Sequence, residues 1–318
     1  PTVAFPPTAH LHPPTMTDIV HEYTLAHAWT VTQDTAFWCL VGMCGIFLTD
    51  VLLARSYKAR YFFCHSIING IITILVIPDS YWLLSDPLAA LQVKSCSSAP
   101  LGLVFAIHFY HMIGAFIPKA YGGFKLYPVD WLHHILMVVL GCPAIMFAAM
   151  GPCVNFNFLF VCGIPGGLDY YMLVRVKEGT MKSLDEKSIN TNLNVWCRCP
   201  FLVSTVVLIF VQTHMHQPPI HIVCLRIFCC IINWWNGLYF MERVVSNYYV
   251  THHKLKDALT KKGGEAMVGK MANVKKMKTE KVLIDQPEDH PLPSAPMHPR
   301  VMKTKAGKNV WEFIRAGS

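Results

Sequence analysis

Two adjacent histidines, His133 and His134, stand near the beginning of the otherwise apolar segment WLHHILMVVLG, residues 131–141. Imidazole changes its charge near neutral pH, so such a pair could act as a general base or bind a ligand. Asp130 lies one helical turn before His134 and could orient its ring as a hydrogen-bond acceptor. Polar groups inside a membrane are costly and usually face a bundle interior or a cavity. The pair is therefore a candidate functional site, and a hydrogen bond between helices is the alternative explanation.

Four further polar residues are predicted at the same depth as the histidine pair. A helix rises about 1.5 Å per residue, so the predicted direction of each span gives the depth of its side chains. The residues that share this layer near the inner boundary are His65, His111, Asp169 and Tyr170. Gly166 and Gly167 belong to the break GIPGG, where backbone could line a cavity or allow close helix packing.

The elements that position these residues are predicted to be transmembrane helices. The chain has 53% hydrophobic and 14% charged residues, which is too apolar for a soluble protein of 318 residues. We therefore predict an all-α, polytopic helix bundle of about seven spans. They are placed at 36–53, 61–77, 99–117, 131–150, 154–174, 200–216 and 220–241.

Lysine and arginine residues are concentrated in every second loop of this predicted bundle. Outside the spans, 25 basic residues fall on one side and one, Lys94, falls on the other. Basic residues accumulate in loops on the cytoplasmic or matrix side, so we predict that the N-terminus faces out and the C-terminus in. The net charge of +8 is then a property of topology and of the tail, and no nucleic-acid partner is expected.

The chain divides into an extended N-terminal arm (1–30), a transmembrane domain (31–250) and a basic C-terminal tail (251–318). The tail has 14 basic residues and few apolar ones, so its composition favours docking on a partner over independent folding. The residues predicted to anchor it on other membrane-protein subunits are Trp311, Phe313 and Ile314. Most of the twelve cysteines lie in predicted spans, where cysteine packs as a small hydrophobe, and no metal site is expected.

The segments WLHHILMVVLG and GIPGGLDYYMLVRVK resemble the TLC-domain membrane proteins, which include ceramide synthases and translocon-associated TRAM proteins. The family pattern is a paired histidine that opens one span and a broken helix about thirty residues later. The resemblance covers about 36–241 and implies a bundle around a lipid-sized cavity. Ceramide synthases carry a His-Asp pair before a second aspartate; lined up on Asp169, the first pair falls on Pro165 and Gly166. The resemblance thus implies the fold more strongly than acyl-transfer chemistry.

Three functions are compatible with these patterns. The first is a non-catalytic, lipid-binding accessory subunit of a larger membrane complex, such as a respiratory or ATP synthase complex, in the mitochondrial inner membrane or the endoplasmic reticulum. A bound phospholipid or acyl chain would then contact His65, His111, His134, Gly166, Gly167, Asp169 and Tyr170. The second is a lipid acyltransferase with His133 or His134 as general base and Asp169 as orienting acid. The third is a haem-binding electron carrier that uses His111 and His134 on facing helices.

Overall fold

A computed structural model describes residues 25–117, 126 and 128–261 of the chain. The predicted docking residues of the tail and most of the N-terminal arm lie outside the described residues, as does the side chain of Asp130. The docking residues concerned are Trp311, Phe313 and Ile314.

Every regular element in the described part of the chain is a helix, in agreement with the predicted all-α class. The α-helices, numbered in chain order, are α1 (Leu25–Leu52), α2 (Arg60–Ser85), α3 (Pro87–Gln92), α4 (Ala99–Phe116), α5 (Pro128–His134), α6 (Cys142–Phe147), α7 (Pro152–Phe158), α8 (Ile164–Lys177), α9 (Ser183–Asn192), α10 (Cys199–His216) and α11 (Ile220–Lys261).

Three π-helical segments fuse pairs of these helices into longer rods. They are Ile135–Gly141 between α5 and α6, Leu159–Gly163 between α7 and α8, and Leu193–Arg198 between α9 and α10. In each case the second residue of the following helix is a proline: Pro143, Pro165 or Pro200. Proline lacks an amide hydrogen and clashes with the carbonyl one turn earlier, so the turn before it widens. A widened turn also changes the direction in which later side chains point.

Among the residues that the structure describes, six helical stretches are long and apolar enough to cross a membrane, and a seventh, Trp131–Phe147, is shorter. The chain is therefore an integral membrane protein with six to seven spans. The basic loop predicted at 175–199 is mostly helical, because α8 ends at Lys177 and α9 begins at Ser183. Helix α11 has 42 residues. Its length of about 63 Å is twice the roughly 30 Å hydrocarbon core of a bilayer, so it extends beyond the predicted end at residue 241.

The connections between helices meet at two opposite ends of the bundle. One end, called the basic end below, carries the lysine- and arginine-containing loops 53–59 and 178–182. There the Lys58 amide donates to Oε1 of Glu178 at 2.8 Å and joins these two loops. At the opposite end, the Gly151 amide donates to the Lys94 carbonyl at 3.1 Å. The Gln212 side-chain amide also donates to the Val93 carbonyl there, at 3.1 Å. The loops 53–59 and 178–182 thus lie at one end, and the segments around Lys94 and Gly151 lie at the other.

Candidate functional site

Five histidines converge at the basic end of the bundle, and together they are called the histidine cluster below. Helix α2 contributes the first, α4 the next two and α5 the last two: His65, His108, His111, His133 and His134. The sequence predicted that four of them share one depth. The fifth, His108, was missed, although its spacing of three residues from His111 places both on one face of α4.

Hydrogen bonds link the cluster across α4 and α5. Nδ1 of His111 lies 2.9 Å from Nε2 of His134. Nδ1 of His108 lies 2.7 Å from the Val104 carbonyl and must donate to it, because a carbonyl only accepts. In neutral His108 this leaves Nε2 as an acceptor, so Nε2 of His133, 3.4 Å away, is the donor. This geometry therefore fixes the tautomers of His108 and His133: the proton of His108 is on Nδ1, and Nε2 of His133 carries a proton.

Two tyrosine rings stack on histidines of the cluster. Tyr61 stacks on His111 with 3.6 Å between ring centroids, and Tyr170 stacks on His65 with 4.2 Å. His65 is 5% exposed, and neither of its ring nitrogens has a hydrogen-bond partner in the described part of the chain. Tyr61 was not predicted, although it precedes His65 by one helical turn. His65 is thus a buried imidazole with unused hydrogen-bonding capacity.

Asp169 belongs to a second polar group, formed by α8 and α9. Its Oδ1 accepts a hydrogen bond from Nδ2 of Asn190 at 2.7 Å. Nδ2 of Asn190 is also 3.4 Å from Oε1 of Glu186, and Nδ2 of Asn194 donates to Oδ1 of Asn190 at 2.7 Å. Among the described side chains, Asp169 makes no hydrogen bond to a histidine. The aspartate and the histidines that the sequence grouped by depth therefore form different hydrogen-bond networks.

The GIPGG break packs tightly against α2. A Cβ atom added to Gly166 would lie 2.9 Å from Nδ2 of Asn69. The hydroxyl of Ser66 donates to the Gly167 carbonyl at 3.1 Å. Of the two explanations that the sequence left open for this break, these contacts favour close helix packing.

A small, largely apolar cavity of about 40 Å³ lies one helical turn from the histidine cluster. Met137 on its wall follows the histidine pair by one turn, and Asn236 precedes Phe240 by one turn. The ring of Phe240 in turn lies 5.6 Å from that of His133. The other described wall residues are Gly141, Ile145, Met150, Cys153, Val154, Asn157, Val161, Ile209, Cys229, Ile232 and Asn233. None of the residues predicted to bind lipid lines this cavity, which the sequence did not reveal.

The histidine cluster does not fit a haem held between His111 and His134. Two axial nitrogens on opposite sides of an iron stand about 4 Å apart, twice a metal–nitrogen bond of about 2.0 Å. The observed separation of 2.9 Å is shorter, and the Tyr61 ring occupies one face of His111. Within the part of the chain that the structure describes, no three His, Cys, Asp or Glu side chains are arranged to hold a metal ion.

No family model, curated protein or solved structure matches this chain.

Proposed function

We propose that this chain is a non-catalytic, TLC-like membrane protein that holds part of an acyl chain within its helix bundle and serves as an accessory subunit of a larger membrane complex. The observation that carries the proposal is the apolar cavity beside the histidine cluster. Its walls come from the rod α5–α6 and from helices α7, α10 and α11.

The dimensions and chemistry of the cavity suit a narrow hydrocarbon chain. Cys229 and Asn236, both wall residues on α11, are seven residues apart, which corresponds to about 10 Å along the helix. With a volume of about 40 Å³, the cavity has room for about one or two methylene groups, since a cavity of about 150 Å³ holds one benzene molecule. Each methylene removed from water contributes about 0.8 kcal/mol, but a membrane lipid already has apolar surroundings. Retention would therefore depend on shape and close packing.

The positions of the polar groups favour a non-catalytic role. A general base that works with an orienting acid requires hydrogen-bond reach between the two, directly or through one water. Asp169 instead accepts from Asn190, and His134 is engaged with His111. Asp169 and His134, the acid and a base of the acyltransferase hypothesis, are thus hydrogen-bonded to Asn190 and His111 and not to each other.

Filling the cavity provides the test of lipid binding. Val154 on the wall is 7% exposed, and we expect Val154→Phe to reduce the acyl lipid that co-purifies with the protein several-fold, because the new ring occupies the space of the chain. Val207→Phe is the matched control, since Val207 is 56% exposed on the surface of α10. Mass spectrometry of lipids retained after detergent purification measures the effect. Equal retention in the two variants would contradict the proposal.

The accessory role and the location are supported by the sequence of the chain ends. The predicted orientation, N-terminus out and C-terminus in, puts the basic tail on the cytoplasmic or matrix side. Two membranes suit this arrangement, the mitochondrial inner membrane and the endoplasmic reticulum. The short apolar island NVWEFI, residues 309–314, is the part of the tail with the side chains that dominate protein interfaces.

Deleting residues 300–318 tests the accessory role. We expect the truncated protein to insert into the membrane normally, because the spans are intact, but to lose co-purification with its complex. Blue-native electrophoresis of solubilised membranes reports this change. Retention of the complex without the tail would overturn the role assigned to Trp311, Phe313 and Ile314.

A lipid acyltransferase is the second candidate, and His65 favours it. Both ring nitrogens of this buried histidine lack partners among the described residues, so it could accept a proton from a substrate hydroxyl that enters the histidine cluster. Acyl transfer from an acyl thioester by the purified protein, abolished in His65→Ala but retained in His214→Ala, would favour this enzyme over the accessory subunit.

A further inference from the structure

Arg198 is the last residue of the π-helical segment between α9 and α10. Its guanidinium lies over the ring of Phe240 on α11, with 4.9 Å from Cζ to the ring centroid. Nε of Arg198 is shielded from solvent and has no hydrogen-bond acceptor among the described residues. The side chain as a whole is only half-buried, so a ligand can reach the guanidinium. The contact with the ring thus holds the guanidinium in place and leaves its N–H donors unused.

No acidic side chain in the described part of the chain forms an ion pair with Arg198. Asp169 interacts with it electrostatically, but the Asp169 carboxylate accepts its hydrogen bond from Asn190. Asp169 therefore offsets part of the positive charge and satisfies none of the N–H donors. Charged groups within membrane segments are costly and usually pair with a partner of opposite charge. Arg198 has the unused capacity to bind an anion.

The position of Arg198 along the bundle indicates which anion it would meet. Phe240 lies 20 residues after Ile220, where α11 begins at the end opposite the basic end. That length of helix is about 30 Å, the thickness of the hydrocarbon core of a bilayer. Helix α10 gives a similar value, because Arg198 precedes its last residue, His216, by 18 residues, or about 27 Å. Arg198 and Phe240 thus lie near the level of the headgroup phosphates in the leaflet at the basic end.

We propose that Arg198 binds the phosphate group of an anionic phospholipid in this leaflet. A guanidinium can donate two parallel N–H bonds to a phosphate, and such charge-assisted bonds are about twice as strong as neutral ones. Phe240 keeps the guanidinium at the depth of the phosphates. Neither Arg198 nor Phe240 is a wall residue of the apolar cavity. The site therefore goes beyond the proposed function and does not depend on it.

Lipid titration followed by native mass spectrometry tests the proposal. The full-length protein is purified in a neutral detergent, freed of co-purified lipid and titrated with dioleoyl phosphatidylglycerol or with dioleoylglycerol, which has the same two chains but no phosphate. We expect one phosphatidylglycerol molecule to bind about tenfold more tightly than dioleoylglycerol, a difference of about 1.4 kcal/mol. Equal affinities of the wild-type protein for the two lipids would overturn the proposal without any variant.

Variants assign the phosphate to Arg198. Arg198→Gln should weaken binding of phosphatidylglycerol about tenfold and leave binding of dioleoylglycerol unchanged. Arg175→Gln is the matched control at the basic end, because it changes the net charge equally but Arg175 is exposed and its Nη2 donates to the Thr180 carbonyl at 3.3 Å. Arg198→Lys keeps the charge without the planar fork and should give an intermediate affinity, even if the glutamine variant folds poorly. An equal loss in Arg175→Gln and Arg198→Gln would overturn the assignment to Arg198.

Inorganic phosphate distinguishes a lipid from a soluble phosphate compound as the ligand. We expect inorganic phosphate at the concentration of the lipid not to displace phosphatidylglycerol, because it lacks acyl chains that pack on the helices. Equal competition by inorganic phosphate would assign the site to a soluble phosphate compound and overturn the lipid as its ligand. Loss of this site would leave the proposed acyl binding intact, and a negative result with Val154→Phe would leave this site intact.

Discussion

Replacing Arg226 by methionine is expected to lower the thermal-unfolding midpoint of the purified protein by about 6–12 °C, from a loss of roughly 3 kcal/mol at a few degrees per kcal/mol. The side chain is 1% exposed in the interior of the bundle. Its Nε donates to the Ala148 carbonyl at 2.9 Å, and Nη2 donates to the Ala149 carbonyl. These carbonyls follow the C-terminal end of α6, where backbone acceptors have no helical partner.

Arg226 also connects further elements, which explains the size of this expected effect. Its Nη1 donates to Oγ1 of Thr213 on α10 at 3.2 Å. One guanidinium thus joins α10 and α11 to the turn before α7, and methionine would leave the acceptors buried without a donor. Sequence alone showed only that this arginine lay inside a span.

Arg243→Met is the matched control for Arg226. Arg243 lies on the same helix, its Nη1 donates to the Tyr239 hydroxyl at 3.1 Å, and its guanidinium lies over the Tyr239 ring at 5.5 Å. Such partly exposed contacts contribute about 0.5–1 kcal/mol, so a small shift is expected. Differential scanning fluorimetry in detergent compares the two variants. Equal midpoints would refute the stabilising role of the buried arginine.

The second large effect is expected at Gly102, where α4 crosses α1. A Cβ atom there would stand 2.5 Å from Cβ of Trp38 and 2.8 Å from the Thr35 carbonyl oxygen. The nearest atoms belong to the backbone or lie next to it and cannot rotate away. Gly102→Ala should therefore push the helices apart and cost about 1–3 kcal/mol, despite the better helix propensity of alanine.

Gly45→Ala is the contrasting variant on α1, since no atom of the described residues lies within 4 Å of the Gly45 Cβ position. Alanine there should be neutral or stabilise the protein by up to about 1 kcal/mol, because glycine is the poorer helix former. Thermal unfolding and protease resistance in detergent distinguish the two variants. A loss of stability in Gly45→Ala equal to that in Gly102→Ala would contradict the α1–α4 packing described here.

The histidine cluster shows how far depth can be inferred from a sequence. The predicted layer of His65, His111 and His134 depended only on helix direction and rise, and the rings of these residues do lie together. Depth could not tell which imidazole faces which, because that depends on the rotation of each helix about its axis. His108 was missed because it lies one helical turn from His111 and therefore at a different predicted depth.

Asp169 illustrates the same limit more sharply. It lies in α8, six residues after the π-helical segment Leu159–Gly163 ends. Such a segment turns the following residues around the helix axis by an amount that a regular 3.6-residue period does not predict. The cavity, too, is formed by residues from four helices or helical rods and from the turn before α7, so no local pattern could have indicated it.

The sequence by itself predicted an all-helical membrane protein with about seven spans and polar groups near one end, because apolar length, basic loops and helical rise are local properties of the chain. The described part of the chain has six to seven helices that could be such spans. Tertiary structure alone decided that Asp169 bonds to Asn190 and that His134 bonds to His111. These contacts depend on the rotation and packing of helices whose turns widen before a proline. The rotation of each helix is determined only when all the helices pack together.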